Sequence, residues 1–164
     1  MTRILLAEDD PVSRALLRRA LTRMGYDVLV ANDGLSAWDL WRSSPDVQLV
    51  VSGWMMPGLS GVDLCRRIRD ACRRHYVYIL LLTGKSRPLE IAAGLDAGAD
   101  DYLTKPYDVD ELAARLRVGQ RLLQVQNENL RHMQEISELI RMIRAFFQNA
   151  KSGSVPGRFS IELG

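Results

Sequence analysis

The chain has 164 residues, of which 47% are hydrophobic and 26% charged, a balance typical of a globular protein with a sizeable core. Its formal net charge of +2 is too small to indicate nucleic-acid binding on electrostatic grounds. The sequence has no apolar run of membrane-spanning length, no signal-peptide pattern and no CxxC pair, so we expect a cytoplasmic protein in which Cys65 and Cys72 stay reduced.

Five short apolar runs alternate with helical patterns over the first two thirds of the chain. The first run, residues 4–7, ends in Glu8 and Asp9, after which Asp10 is placed to cap a helix that begins at Pro11. The other predicted strands are residues 26–30, 47–52, 76–82 and 101–104, and the other predicted helices are residues 35–41, 62–72 and 88–97. The alternation favours a parallel sheet with helices on both faces.

The third predicted strand ends at Gly53 and leads into a turn-rich loop. In an α/β sheet the reactive groups lie beyond the carboxyl ends of the parallel strands. The side chains expected at this edge are Glu8, Asp9, Thr83 and Lys105. Carboxylates suit Mg²⁺, whereas a hydroxyl and an amine suit phosphoryl oxygens. The set indicates phosphoryl transfer to a carboxylate at position 53, where this chain has glycine.

These motifs, in this order, resemble the receiver domain of two-component response regulators over about residues 1–122. The motifs are Glu8-Asp9, residues 53–58, Thr83-Gly84 and residues 98–106. The resemblance implies a flavodoxin-like (βα)₅ fold, a doubly wound parallel sheet of order 2-1-3-4-5. It also implies a histidine kinase or phosphotransfer protein as phosphoryl donor, and a signalling module in place of an enzyme that acts on external substrates.

The same resemblance assigns roles to individual positions. It implies Mg²⁺ ligands at Glu8, Asp9 and the backbone carbonyl of Met55, phosphoryl-binding groups at Thr83 and Lys105, an aromatic switch at Tyr102, and a cis peptide bond before Pro106. Gly53 stands where the family has its phospho-accepting aspartate. Because the surrounding motif is intact, an engineered or recent loss is favoured over a long-established pseudo-receiver.

Loss of the carboxylate at position 53 has two expected consequences. Mg²⁺ should bind weakly or not at all, and Lys105 should lack one partner. The alternative function is a phosphorylation-independent scaffold for dimerisation or partner docking. A metallohydrolase built on Glu8, Asp9 and Asp10 is less favoured, since histidine ligands and further acids at the strand ends are missing.

A long helix is predicted to begin near Asp108. If Gly119 and Gln126 are accepted as seam positions, the seam follows heptad spacing with one three-residue stammer: Leu116, Gly119, Leu123, Gln126, Leu130, Met133, Ile136, Ile140, Ile143 and Phe147. We interpret residues 123–150 as a coiled-coil extension that forms a homodimer, in preference to a helix that folds back on its own domain.

The remaining residues, 151–164, are predicted to be a linker or tail because they begin with a Ser-, Gly- and Pro-rich stretch. The helical extension is similar to those between receivers and diguanylate cyclase or phosphatase domains. This chain contains neither a cyclase motif nor a helix-turn-helix pattern, so we do not expect it to bind DNA or a membrane by itself.

Overall fold

The computed structural model describes residues 1–71, 75–84 and 88–151. Cys72 and the predicted linker and tail after Lys151 lie outside the described residues. Within the described part of the chain, no helix is both long and apolar enough to cross a membrane.

The described residues form five strands and five helices that alternate along the chain. In order they are β1 (Arg3–Ala7), α1 (Pro11–Arg23), β2 (Asp27–Ala31), α2 (Gly34–Ser43), β3 (Leu49–Gly53), α3 (Gly61–Ala71), β4 (Tyr78–Thr83), α4 (Pro88–Asp96), β5 (Asp101–Thr104) and α5 (Val109–Lys151). The strands are parallel and lie in the order 2-1-3-4-5. This confirms the predicted flavodoxin-like α/β fold, with its long C-terminal helix.

The central strands are buried on both faces, which explains their continuous apolar sequences. Every residue of β3 and β4 is buried. Successive side chains of a strand point to opposite faces of the sheet. In β1, Leu5 therefore joins the core that also contains residues of α2 and α3, whereas Ile4 and Leu6 join the core that also contains residues of α1 and α5.

The first part of α5 belongs to this second core. Leu112, Leu116, Gly119 and Leu123 are all buried there. A Cβ atom at Gly119 would lie 2.5 Å from Cδ1 of Tyr78, so the glycine allows α5 to approach β4 closely. The predicted dimer seam is therefore wrong from Leu116 to Leu123, because these residues pack on their own sheet.

A pair of amides holds the last turn of this buried part of α5. The side chains of Gln48 and Asn127 exchange two hydrogen bonds, each 3.2 Å long. The chain divides into two compact units, Met1–Asn127 and Glu128–Gly164. Both this division and the predicted boundary at residue 122 fall within α5.

A buried carboxylate joins three segments at the opposite edge of the sheet from the predicted site. Asp100 accepts hydrogen bonds from the backbone N–H of Ile79 (2.7 Å), from Nη2 of Arg69 (2.8 Å) and from the hydroxyl of Tyr76. Burial, followed by the hydrogen bond to Asp100, raises the pKa of Tyr76 to about 12. The phenol therefore remains a donor at neutral pH.

Replacing Asp100 should test how much this network contributes to stability. We expect Asp100→Ala to lower the free energy of unfolding by about 3 kcal/mol, because Arg69 loses its counter-ion in a largely buried site. Urea denaturation measures the change. The matched variant Asp70→Ala removes an exposed carboxylate and should change stability by less than about 0.5 kcal/mol. Equal losses in both variants would contradict the assignment.

Candidate functional site

Four of the predicted site residues come together at the carboxyl edge of the sheet. Glu8 follows β1, Gly53 is the last residue of β3, Thr83 is the last of β4, and Lys105 follows β5. Because these four strands are neighbours in one parallel sheet, their ends lie at the same edge. The fold therefore unites residues that are distant in the sequence.

An ion pair between Lys105 and Glu8 joins the ends of β5 and β1 at this edge. Nζ of Lys105 donates to Oε2 of Glu8 at 2.7 Å. The Glu8 side chain is only 2% exposed, whereas that of Lys105 is 34% exposed. A buried carboxylate is costly unless it is paired, so this contact is a condition for burying Glu8. The expectation that Lys105 lacks one partner refers to a carboxylate at position 53, and Glu8 is a partner that Lys105 does have.

The start of α1 completes the surroundings of Glu8. Asp10 caps this helix by accepting a hydrogen bond from the backbone N–H of Ser13 at 2.6 Å, as the sequence predicts. The cap turns the first helical residues back toward the strand end. There Oγ of Ser13 donates to Oε2 of Glu8 at 3.2 Å, and the backbone N–H of Asp10 donates to Oε1 at 3.3 Å.

Arg14 is a further site residue that sequence reasoning missed, together with Ser13. Its Nη1 donates to the backbone carbonyls of Glu8 at 2.8 Å and Asp9 at 2.9 Å. The predicted cap at Asp10 could have indicated both residues, since Ser13 and Arg14 are three and four positions after it and therefore lie in the first helical turn, close to the acids. These hydrogen bonds fix the backbone that carries both acids.

Gly53 leaves space at the strand tip. A Cβ atom built there would lie 3.6 Å from Oε1 of Glu8 and 3.7 Å from the carbonyl oxygen of Ala7, which are ordinary van der Waals distances. Its backbone is outside the positive-φ region that requires glycine. A Cβ atom therefore fits without displacement, and a side chain at this position would start beside the Glu8 carboxylate.

Thr83 and Tyr102, the predicted switch residues, lie on neighbouring strands. Thr83 is buried, and its backbone carbonyl accepts a hydrogen bond from the N–H of Lys105 at 2.7 Å. Tyr102 lies opposite Leu81 in the sheet and is half-buried against the core that contains residues of α2 and α3. The peptide bond between Lys105 and Pro106 is cis.

The proposed metal ligands do not fit a divalent cation in this arrangement. The carboxylate of Glu8 is committed to Lys105, whereas Asp9 is exposed and Met55 is 65% exposed. Among the described residues, no three side chains of the types Asp, Glu, His and Cys are grouped so as to hold a metal ion. Oε2 of Glu8 is bonded to Lys105 and its Oε1 to the backbone N–H of Asp10, so a cation would have to compete with these donors.

Comparisons with known proteins agree with this fold. A family model for the response regulator receiver domain matches residues 4–117. The transcriptional regulatory protein CseB of Streptomyces avermitilis is 44% identical over 117 residues, which are 71% of this chain and 48% of that protein. The chain thus spans about half the length of the curated relatives it matches.

Solved structures show the same similarity. The receiver domain of Francisella response regulator 1452 aligns with a TM-score of 0.67 at 29% identity, covering 74% of this chain and 98% of that chain. A probable two-component system response regulator/GGDEF domain protein aligns with a TM-score of 0.70 at 25% identity. That match covers 76% of this chain and 51% of the other.

A double-mutant cycle should measure the ion pair. We expect Lys105→Met to lower the free energy of unfolding by about 2 kcal/mol, because it leaves a buried carboxylate without its cation. In a Glu8→Gln background, Lys105→Met should lower the free energy of unfolding by about 1 kcal/mol less than it does in the unsubstituted chain. The exposed Lys151→Met serves as the control and should have little effect. Additive losses at Glu8 and Lys105 would show that the two side chains are not coupled.

Proposed function

The chain belongs to the response regulator receiver domain family, and from that premise we propose that it is a two-component signalling module without its phosphoryl acceptor. In the intact form of such a module, a histidine kinase or phosphotransfer protein donates a phosphoryl group to a carboxylate at position 53. Gly53 has no side chain to accept it, so this chain is unphosphorylatable at that position.

The observation that supports this proposal is the space at Gly53, at a sheet edge that also carries Glu8, Thr83 and Lys105. Thr83 is the last residue of β4 and Lys105 follows β5, the two strands that come after β3 in the sheet order. The Cβ position of residue 53 has no neighbour closer than 3.6 Å. Position 53 thus has room for the first atom of a side chain, which supports the proposal that a carboxylate belongs there.

The proposed relay runs from this pocket to α5. In the intact form the phosphoryl group draws Thr83, and Tyr102 turns inward in response. Tyr102 lies on β5 beside Asp101, which accepts two hydrogen bonds from Nη1 of Arg115 on α5, at 2.7 and 2.8 Å. We expect a shift of β5 to move α5 through the contact between Asp101 and Arg115, which supports the proposed relay.

The proposed output is self-association through the second unit. From Glu128 to Lys151 the helix carries large apolar side chains that are exposed in the single chain. Burying them against a second copy supplies the hydrophobic stabilisation that a dimer needs. A homodimer formed by this helix is the partner arrangement that we propose.

A phosphorylation-independent scaffold is the second candidate, and the ion pair favours it. Glu8 gives Lys105 a partner without any group at position 53. The edge of the sheet is therefore satisfied in the unphosphorylated protein. On this view the receiver fold only positions the helix that binds a second copy or another protein.

Restoring the acceptor separates the two candidates. We expect Gly53→Asp to incorporate label from radioactive acetyl phosphate, because it restores a nucleophilic carboxylate at the same edge of the sheet as Lys105 and Thr83. Acid-gel autoradiography with and without Mg²⁺ measures the incorporation. The unsubstituted chain and Gly53→Asn, which is similar in size but lacks a nucleophile, should remain unlabelled. A folded Gly53→Asp variant that also stays unlabelled would rule out the relay and leave the scaffold.

The oligomeric state tests the proposed output. Light scattering should give the full chain twice its mass of 18.5 kDa. We expect Ile140→Glu to be monomeric, because it places a charge within the apolar surface of the second unit. The control Val125→Glu changes an exposed valine of α5 before that unit and should remain dimeric. A monomeric unsubstituted chain would refute the proposed dimer.

A further inference from the structure

The second unit exposes an unusually broad apolar surface. Eight large apolar side chains, each between 45% and 70% exposed, lie within it: Met133, Ile136, Leu139, Ile140, Met142, Ile143, Phe146 and Phe147. With 3.6 residues per turn, these side chains cover about half of the circumference of the helix. A simple two-stranded seam needs only the a and d positions of a heptad, which form a narrower stripe.

The two flanks of the seam differ in chemistry. After the stammer, the a positions are Met133, Ile140 and Phe147, and the d positions are Ile136, Ile143 and Ala150. The flank beside the d positions, at heptad position g, carries Leu139 and Phe146. The flank beside the a positions, at heptad position e, carries Ser137, Arg144 and Lys151. One flank is therefore apolar and the other polar or basic.

Symmetry determines which flanks meet when two copies associate. A two-fold axis parallel to the helices brings the g flank of one copy against the e flank of the other. Leu139 would then lie near Arg144 of the second copy. A two-fold axis perpendicular to both helices brings g against g and e against e. Leu139 would then lie near Phe146 of the second copy, and Arg144 near Ser137.

We infer that residues 133–150 of two copies pair in antiparallel orientation, an inference that rests on the proposed self-association. In this register Ile140 lies opposite Ile143, Ile136 opposite Phe147, and Met133 opposite Ala150 of the second copy. The arrangement buries the apolar g flank as well as the a and d positions, and apolar burial is the main driving force for association. It also keeps Arg144 away from its own counterpart, since Ser137 faces it.

A parallel pair of the same helices is less favourable for a physical reason. It places Leu139 and Phe146 against the basic flank, where only the aliphatic stems of Arg144 and Lys151 cover them. The ionised ends of these stems lose hydration if they are drawn over apolar surface. Met142 remains outside the contact in both orientations, because it lies at position c.

Cysteine cross-linking in the full chain tests the orientation. The background variant Cys65→Ala/Cys72→Ser removes the native thiols, and Met133→Cys/Ala150→Cys is added to it. The two positions are 17 residues apart in one helix, about 26 Å, so no disulfide can join them within a chain. After mild oxidation, trypsin releases residue 133 in peptide 132–141 and residue 150 in peptide 145–151. Mass spectrometry identifies which peptides are joined.

The antiparallel pair predicts that peptide 132–141 is linked to peptide 145–151. Linkage of each peptide to its own counterpart shows a parallel pair and overturns the inference while leaving the proposed dimer intact. A dimer that forms neither linkage overturns the register. If light scattering finds both the background variant and the unsubstituted chain to be monomeric, the proposed self-association itself is overturned.

A matched pair of surface substitutions tests the role of the g flank. We expect Leu139→Lys to raise the dissociation constant of the dimer at least about tenfold, because each copy loses a buried leucine. Met142→Lys adds the same charge one turn away, outside the contact, and should change the constant by less than about twofold. Sedimentation equilibrium measures both, and equal effects of the two substitutions would contradict the inference.

Discussion

The ion pair between Glu8 and Lys105 is the contact on which the functional edge of the sheet depends. It joins the end of β1 to the end of β5 across a sequence separation of 97 residues. Since Glu8 is almost fully buried, its charge persists there only with a cation and further donors around it. Ser13 and the backbone N–H of Asp10 supply those donors, so the start of α1 is held in place by the same carboxylate.

This pairing gives the glycine at position 53 a specific physical meaning. Glycine leaves space at the strand tip and no charge in it, and Lys105 turns to the neighbouring acid. Glu8 and Lys105 consequently neutralise each other at this edge. The fold in this condition keeps the contacts between β5 and α5, such as that of Asp101 with Arg115.

The long helix uses one spacing of apolar residues for two purposes. Up to Leu123 the apolar side chains pack on the sheet of their own unit, and Gly119 permits close approach to Tyr78. After Glu128 similar side chains are exposed and available to another helix. Steps of three and four residues bring side chains to one face of a helix in either case, so the spacing alone does not identify the surface that covers them.

Local rules therefore accounted for the architecture, whereas the contacts within the site required the folded chain. The apolar runs, their alternation with helices, and the cap at Asp10 can be recognised because each depends on residues close in sequence. The choice of Glu8 as the partner of Lys105 depends on distances across three strands. The burial of Leu116 and Leu123 depends on a sheet formed by residues far away. Such contacts arise from packing at long range, which periodicity and capping do not encode.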